Sequence, residues 1–125
     1  MSDPSLSADV YVPQPVSAAE RRRGVRFSCR PGAEVRFLVK PSFRSRRGYL
    51  KDISSGGVAM NLDRPLEEGD IVLLELPVGL KGDTFLKLAR VVCVRRHPVG
   101  YWLASCSFVH RLGDRQVFDA LQRGW

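Results

Sequence analysis

From residue 34 onward the chain is a succession of short segments in which apolar and polar residues alternate. Val35, Phe37 and Val39 fall on one face of the first segment, as in a half-buried strand. Turn-forming residues separate the segments, including a polar turn at 64–70 and a second turn at 97–100. The pattern predicts six strands, at 34–39, 48–53, 58–62, 71–76, 85–95 and 101–109. Within the fifth, the alternation breaks at Ala89–Val92, which predicts a β-bulge.

The pattern changes to a helical one after the sixth segment. Asp114 is predicted to cap a helix whose apolar residues are Val117, Phe118 and Leu121, and Gly124 is predicted to end it. Short strands about ten residues apart, followed by one helix, favour an all-β fold with a C-terminal helix. We expect a small antiparallel barrel with the helix over one end.

Length and composition indicate one domain preceded by an arm. The chain has 125 residues, and residues 1–19 are rich in Ser, Pro and Ala. We predict a flexible arm over 1–19 and a domain over 20–125. No apolar run reaches the length of about 20 residues that spans a bilayer, and no secretory signal is recognisable. The expected location is the cytoplasm.

The three cysteines, Cys29, Cys93 and Cys106, show no Cys-x-x-Cys spacing. The sequence therefore gives no support for a zinc or redox centre. Cys93 and Cys106 lie in alternating apolar runs, so we expect both to be small buried core residues in a reducing compartment.

Catalytic motifs are also missing from the sequence. The two histidines, His97 and His110, lie next to no hydrolase-like Ser or Cys motif. The acidic turn Glu67, Glu68 and Asp70 lacks a metal-binding pattern. Neither type of glycine-rich phosphate loop is present. We predict that the protein is not an enzyme and holds no metal.

Positive charge is concentrated in one part of the chain. The net charge is +7, but residues 20–51 contain eleven Lys and Arg against two Glu, a surplus of nine. Such a localised field favours a polyanionic partner, and a phosphate-containing ligand is the simplest candidate.

An arginine segment lies at the start of this basic region. Arg22 and Arg26 are four residues apart, with Arg21 and Arg23 alongside. A guanidinium can form a bidentate contact with the O6/N7 edge of guanine or with phosphate. Taken alone, however, a basic run is more typical of a solvated surface or a nonspecific nucleic-acid tail.

A short polar turn follows the second predicted strand. Asp52 can accept hydrogen bonds from guanine N1–H and N2–H₂, Ser54 can donate or accept, and Gly57 permits close approach of the backbone. Ser55 and Gly56 lie between them. Taken alone, such a turn is also common in proteins that bind nothing there.

The two segments together resemble the PilZ domain family of cyclic di-GMP receptors. Arg22 and Arg26 match the family's Arg-x-x-x-Arg motif, and Asp52, Ser54 and Gly57 match its Asp/Asn-x-Ser-x-x-Gly motif. The resemblance extends over about residues 20–121. It implies a six-stranded antiparallel β-barrel and cyclic di-GMP as the ligand, with no other cofactor.

The resemblance also implies roles for single residues. The implied ligand-binding residues are Arg21, Arg22, Arg26, Asp52, Ser54 and Gly57, with Arg23, Ser55 and Gly56 as secondary candidates. In such a receptor the arginine arm closes over the ligand, becomes ordered and signals to a downstream protein, which the sequence does not identify. An Arg at position 21 predicts an intercalated pair of ligands.

Two alternatives stay open from the residues alone. The first is a small-barrel nucleic-acid-binding protein, a class that interleaves aromatic and basic residues on its strands. The aromatic residues here are scattered, so no specific nucleic-acid partner is expected. The second is a PilZ-type module that has lost nucleotide binding and contacts only another protein.

Overall fold

The computed structural model describes residues 25–78 and 83–125. This part of the chain forms seven antiparallel strands and one helix: β1 (Phe27–Ser28), β2 (Glu34–Val39), β3 (Arg44–Ile53), β4 (Gly57–Leu62), β5 (Ile71–Val78), β6 (Asp83–Arg96), β7 (Trp102–Phe108) and α1 (Asp114–Gln122). The predicted arm, 1–19, lies outside the described residues. Residues 79–82, between β5 and β6, also lie outside them.

Six of the strands close into a barrel. The hydrogen-bonded order is β3-β2-β5-β6-β7-β4, and β4 pairs again with β3. The predicted six-stranded antiparallel barrel with a C-terminal helix is therefore confirmed. The short strand β1 was not predicted, because two residues carry no alternation. It pairs with the end of β3, with Phe27 opposite Ile53 and Ser28 opposite Asp52.

Inward-facing side chains of the barrel form a single core. Phe37, Ile53, Met60 and Leu74 are its largest fully buried members. Each such side chain contributes about 1.5–3 kcal/mol when it leaves water. Three apolar residues of α1 are buried in the same cluster, Val117, Ala120 and Leu121.

Strand β3 begins at Arg44, four residues before the predicted start. Its first four residues, 44–47, are all polar and pair with β2 from Val39 to Arg36. A strand segment that is polar on both faces shows no apolar alternation, so the sequence gives no signal for it.

The predicted bulge in β6 is confirmed. Val91 pairs with Cys106 and Cys93 pairs with Ser105, so the register shifts by one residue at Val92. This residue is 50% exposed although it is apolar. The bulge also corrects one expectation, since Cys93 is only partly buried, whereas Cys106 lies in the core as predicted.

The start of helix α1 differs from the prediction. Gly113, not Asp114, is the N-cap residue, and its N–H donates to Oε1 of Gln116 at 2.9 Å. Asp114 lies in the first turn, where its negative charge complements the helix dipole. No helix in the described part of the chain is long and apolar enough to cross a membrane.

Candidate functional site

The turn between β3 and β4 is held by its own hydrogen bonds. The Ser54 N–H donates to the Gly57 carbonyl at 2.9 Å, and the Gly56 N–H donates to Oγ of Ser54 at 3.2 Å. Ser54 is only 5% exposed. The hydroxyl that the motif predicts as a ligand group therefore also fixes the shape of the turn.

The end of β7 and the chain that follows it anchor this turn from outside. The Phe108 N–H donates to the Gly56 carbonyl at 2.8 Å, and the Leu112 N–H donates to the Ser55 carbonyl at 2.7 Å. Nη2 of Arg111 donates to Oγ of Ser55 at 2.6 Å. Three hydrogen bonds from one segment thus order the turn before any ligand arrives.

Gly57 opens β4 directly beside β7. A β-carbon at this position would overlap the carbonyl oxygen of Cys106 and lie 3.2 Å from Cα of Ser107. The predicted reason for this glycine was access for a base. The structure adds a separate reason, since no side chain fits between the two strands here.

Strand β1 brings Arg26 to the second motif. Because Phe27 pairs with Ile53, the preceding Arg26 lies beside the end of β3. Its Nη1 donates to Oδ1 of Asp52 at 3.2 Å, and Asp52 is 5% exposed. The described arginine of the first motif therefore contacts the aspartate of the second. Outside the described residues lie the other predicted arginines, Arg21, Arg22 and Arg23.

A cavity of about 340 Å³ lies next to the turn. Four of the predicted site residues line it, Arg26, Ser54, Gly56 and Gly57. Asp52 does not line the cavity but pairs with Arg26, which does. Ser55 likewise contacts the cavity indirectly, through its hydrogen bond to Arg111.

Sequence reasoning missed the six other residues of the cavity wall, which are Val92, Ser105, Cys106, Ser107, Phe108 and Arg111. The bulge was a usable signal for Val92, since bulges often redirect a side chain toward a site. Ser105 and Ser107 are on the outward face of β7, since they alternate with the buried Ala104, Cys106 and Phe108. Nothing in the sequence pointed to Arg111.

The wall combines two guanidinium groups, several hydroxyls and apolar surface from Val92 and Phe108. Guanidinium and hydroxyl groups can bind phosphates and base edges, and flat apolar surface suits a planar base. In the described ranges, no group of three or more His, Cys, Asp or Glu is placed to hold a metal ion.

Comparisons with known proteins identify the family and the fold of this chain. The family model described as the PilZ domain matches residues 20–124. Among solved structures, the chain is similar to the PilZ domain with c-di-GMP of YcgR from Escherichia coli. That match has a TM-score of 0.64 and 21% sequence identity, and it covers 83% of this chain and 91% of that chain. At this identity the similarity establishes a shared fold. None of the curated proteins compared with the chain matches it.

Proposed function

This chain belongs to the PilZ domain family, and on that premise we propose that it is a receptor for cyclic di-GMP. The ligand binds in the cavity beside the β3–β4 turn. The observation that carries the proposal is the contact between Arg26 and Asp52 at the cavity, because it unites the two motifs at one place. The receptor acts by binding and shape change and performs no catalysis.

The chemistry of the wall supports this ligand. Cyclic di-GMP has two guanines and two phosphates in a compact ring. Arg26 can form a bidentate contact with guanine O6/N7 or with a phosphate, each good base contact being worth about 1–3 kcal/mol of discrimination. Asp52 can then turn from Arg26 to the N1–H and N2–H₂ groups of a guanine, while Ser54 and the backbone at Gly57 approach the base.

The arginines before β1 complete the proposed site. Arg22 contributes the second guanidinium of its motif, and Arg21 adds a cation that can meet a second set of phosphates and bases. We therefore propose an intercalated pair of ligands per chain, with Arg23 as a secondary contact. Binding orders residues 20–24, which precede the described Arg26 and β1, at a cost of about 1–2 kcal/mol per residue that the ligand contacts must exceed. The ordered arginine segment then signals to a downstream protein.

Calorimetric titration of the full chain with cyclic di-GMP tests the proposal. Arg22→Ala and Arg26→Ala should abolish binding, whereas Arg115→Ala should bind like the wild type, because Arg115 is on α1 and pairs with Asp119. Saturation at two ligands per chain supports the intercalated pair, and saturation at one ligand rejects it. If ligand leaves amide exchange over residues 20–24 unchanged, the proposed ordering of this arginine segment is rejected.

The same experiment separates the alternatives. If the wild-type chain gives no heat at high concentration, the module binds only protein and the receptor proposal fails. Retention on mixed nucleic acid at physiological salt, together with no preference for cyclic di-GMP, would favour the nucleic-acid-binding barrel.

A further inference from the structure

Arg111 occupies a position that neither sequence motif contains. It lies between β7 and α1, lines the same cavity as Arg26, and donates from Nη2 to Oγ of Ser55 at 2.6 Å. Across residues 25–78 and 83–125, no carboxylate oxygen lies within the 4.0 Å that defines an ion pair with its guanidinium. Its hydrogen-bond partner is a neutral hydroxyl.

The two arginines of the cavity wall therefore differ in charge balance. Arg26 already pairs with the nearly buried carboxylate of Asp52. Arg111 faces the cavity with its charge uncompensated by any described acid. A guanidinium has five N–H donors, and the contact with Ser55 uses one of them. The remaining donors of Arg111 can bind an anion without first breaking an ion pair.

We propose that Arg111 is a specificity-determining residue that binds a phosphate of the cyclic dinucleotide. This inference rests on the proposed function and names the residue that contacts a phosphate of the bound ligand. Arg111 reaches the cavity from the β7–α1 connection, whereas Arg26 reaches it from β1. A ring with two phosphates can thus contact cations from two separate parts of the chain, and a ligand with one phosphate gains only one of these contacts.

The competing explanation is that Arg111 only holds Ser55 in place. The two explanations differ in a double-mutant comparison of Ser55→Ala, Arg111→Ala and the combined variant. If Arg111 binds phosphate, Arg111→Ala should cost clearly more affinity for cyclic di-GMP than Ser55→Ala does. Arg111→Ala should weaken it about tenfold or more, and by the same factor in the Ser55→Ala background. Equal losses in all three variants would overturn the proposal.

Two further variants sharpen the test. Arg111→Lys keeps the positive charge but loses the planar bidentate geometry of the guanidinium. Its affinity for cyclic di-GMP should therefore lie between those of Arg111→Ala and the wild type. Arg115→Ala, an exposed arginine on the adjacent helix, should bind like the wild type. Thermal unfolding of each variant verifies that it is folded. The affinity of Arg111→Ala for cyclic di-GMP should depend less on salt concentration than that of the wild type, because one phosphate contact is lost.

The outcomes for the two proposals remain distinguishable. If Arg26→Ala abolishes binding and Arg111→Ala leaves it unchanged, the role of Arg111 is overturned and the receptor function stands. Absence of binding by the wild-type chain would overturn the receptor function, and the phosphate assignment with it.

Discussion

Gly57 and Cys106 approach so closely that a β-carbon at position 57 would overlap the Cys106 carbonyl oxygen and lie 3.1 Å from its carbonyl carbon. The contact is between backbones, in adjacent strands of a closed barrel, so neither partner can move aside cheaply. A motif glycine predicted for ligand access is thus also required by strand packing.

Gly57→Ala should therefore destabilise the protein without any ligand present. We expect the free energy of unfolding to fall by about 1–3 kcal/mol or more, as for overpacking in a dense interior. Gly56→Ala is the matched control, because its β-carbon would come no closer than 3.8 Å to Oγ of Ser54. Urea unfolding measures both. Equal stabilities for the two variants would contradict the packing argument.

The ion pair between Arg26 and Asp52 should contribute to the stability of the ligand-free protein. The side chain of Asp52 is 7% exposed and that of Arg26 is 24% exposed, so the bond is largely shielded from water. Arg26→Ala should lower the free energy of unfolding by about 1–3 kcal/mol. Arg115→Ala, whose guanidinium is mostly exposed, should cost less than about 0.5 kcal/mol. Chemical denaturation of both variants measures these losses of stability. Equal losses for Arg26→Ala and Arg115→Ala would argue against a stabilising ion pair between Arg26 and Asp52.

The C-terminal residues should be essential for anchoring helix α1. Gly124 has φ +114° and lets the Trp125 N–H reach the Ala120 carbonyl at 3.2 Å, the pattern of a Schellman cap. Trp125 itself is 5% exposed. We expect Trp125→Ala to cost about 3–5 kcal/mol and Gly124→Ala about 1 kcal/mol.

Phe118→Ala provides the comparison, because this aromatic residue of the same helix is 55% exposed. It should cost clearly less than Trp125→Ala in thermal unfolding. A larger loss at Phe118 than at Trp125 would show that the helix is held by a different face.

The three thiols should differ in reactivity. Burial raises the pKa of Cys106 to about 12, and burial together with the nearby charge of Asp52 raises the pKa of Cys29 to about 12. Both remain protonated at pH 8, and the thiolate is the reactive form. With iodoacetamide, Cys93 should be modified first in the native protein, and all three should react in denaturant. Rapid native labelling of Cys106 would contradict its burial.

The same shifts predict a pH dependence of stability. Unfolding restores the ordinary thiol pKa near 9, so between pH 9 and 12 the unfolded chain binds fewer protons than the folded one. The free energy of unfolding should therefore fall as pH rises through this window. In Cys106→Ala this decline should be shallower than in the wild type.

Periodicity predicted the barrel well because the strands are half-buried and alternate. It located six strands and the bulge at Val92. It missed β1, which is too short for a pattern, and the polar beginning of β3 at Arg44. It misplaced the helix cap at Asp114, because Gly113 can fill that position by using its backbone N–H and the side chain of Gln116.

The sequence by itself determined the residue types of the candidate site, the order of the two motifs and the alternation that makes a barrel. Only the tertiary structure decided that Arg26 meets Asp52, that Gly57 lies against Cys106, and that Arg111 reaches Ser55 across 56 residues of chain. These relations depend on strand register and barrel closure. Register and closure set distances between segments remote in sequence, which local patterns of hydrophobicity do not encode.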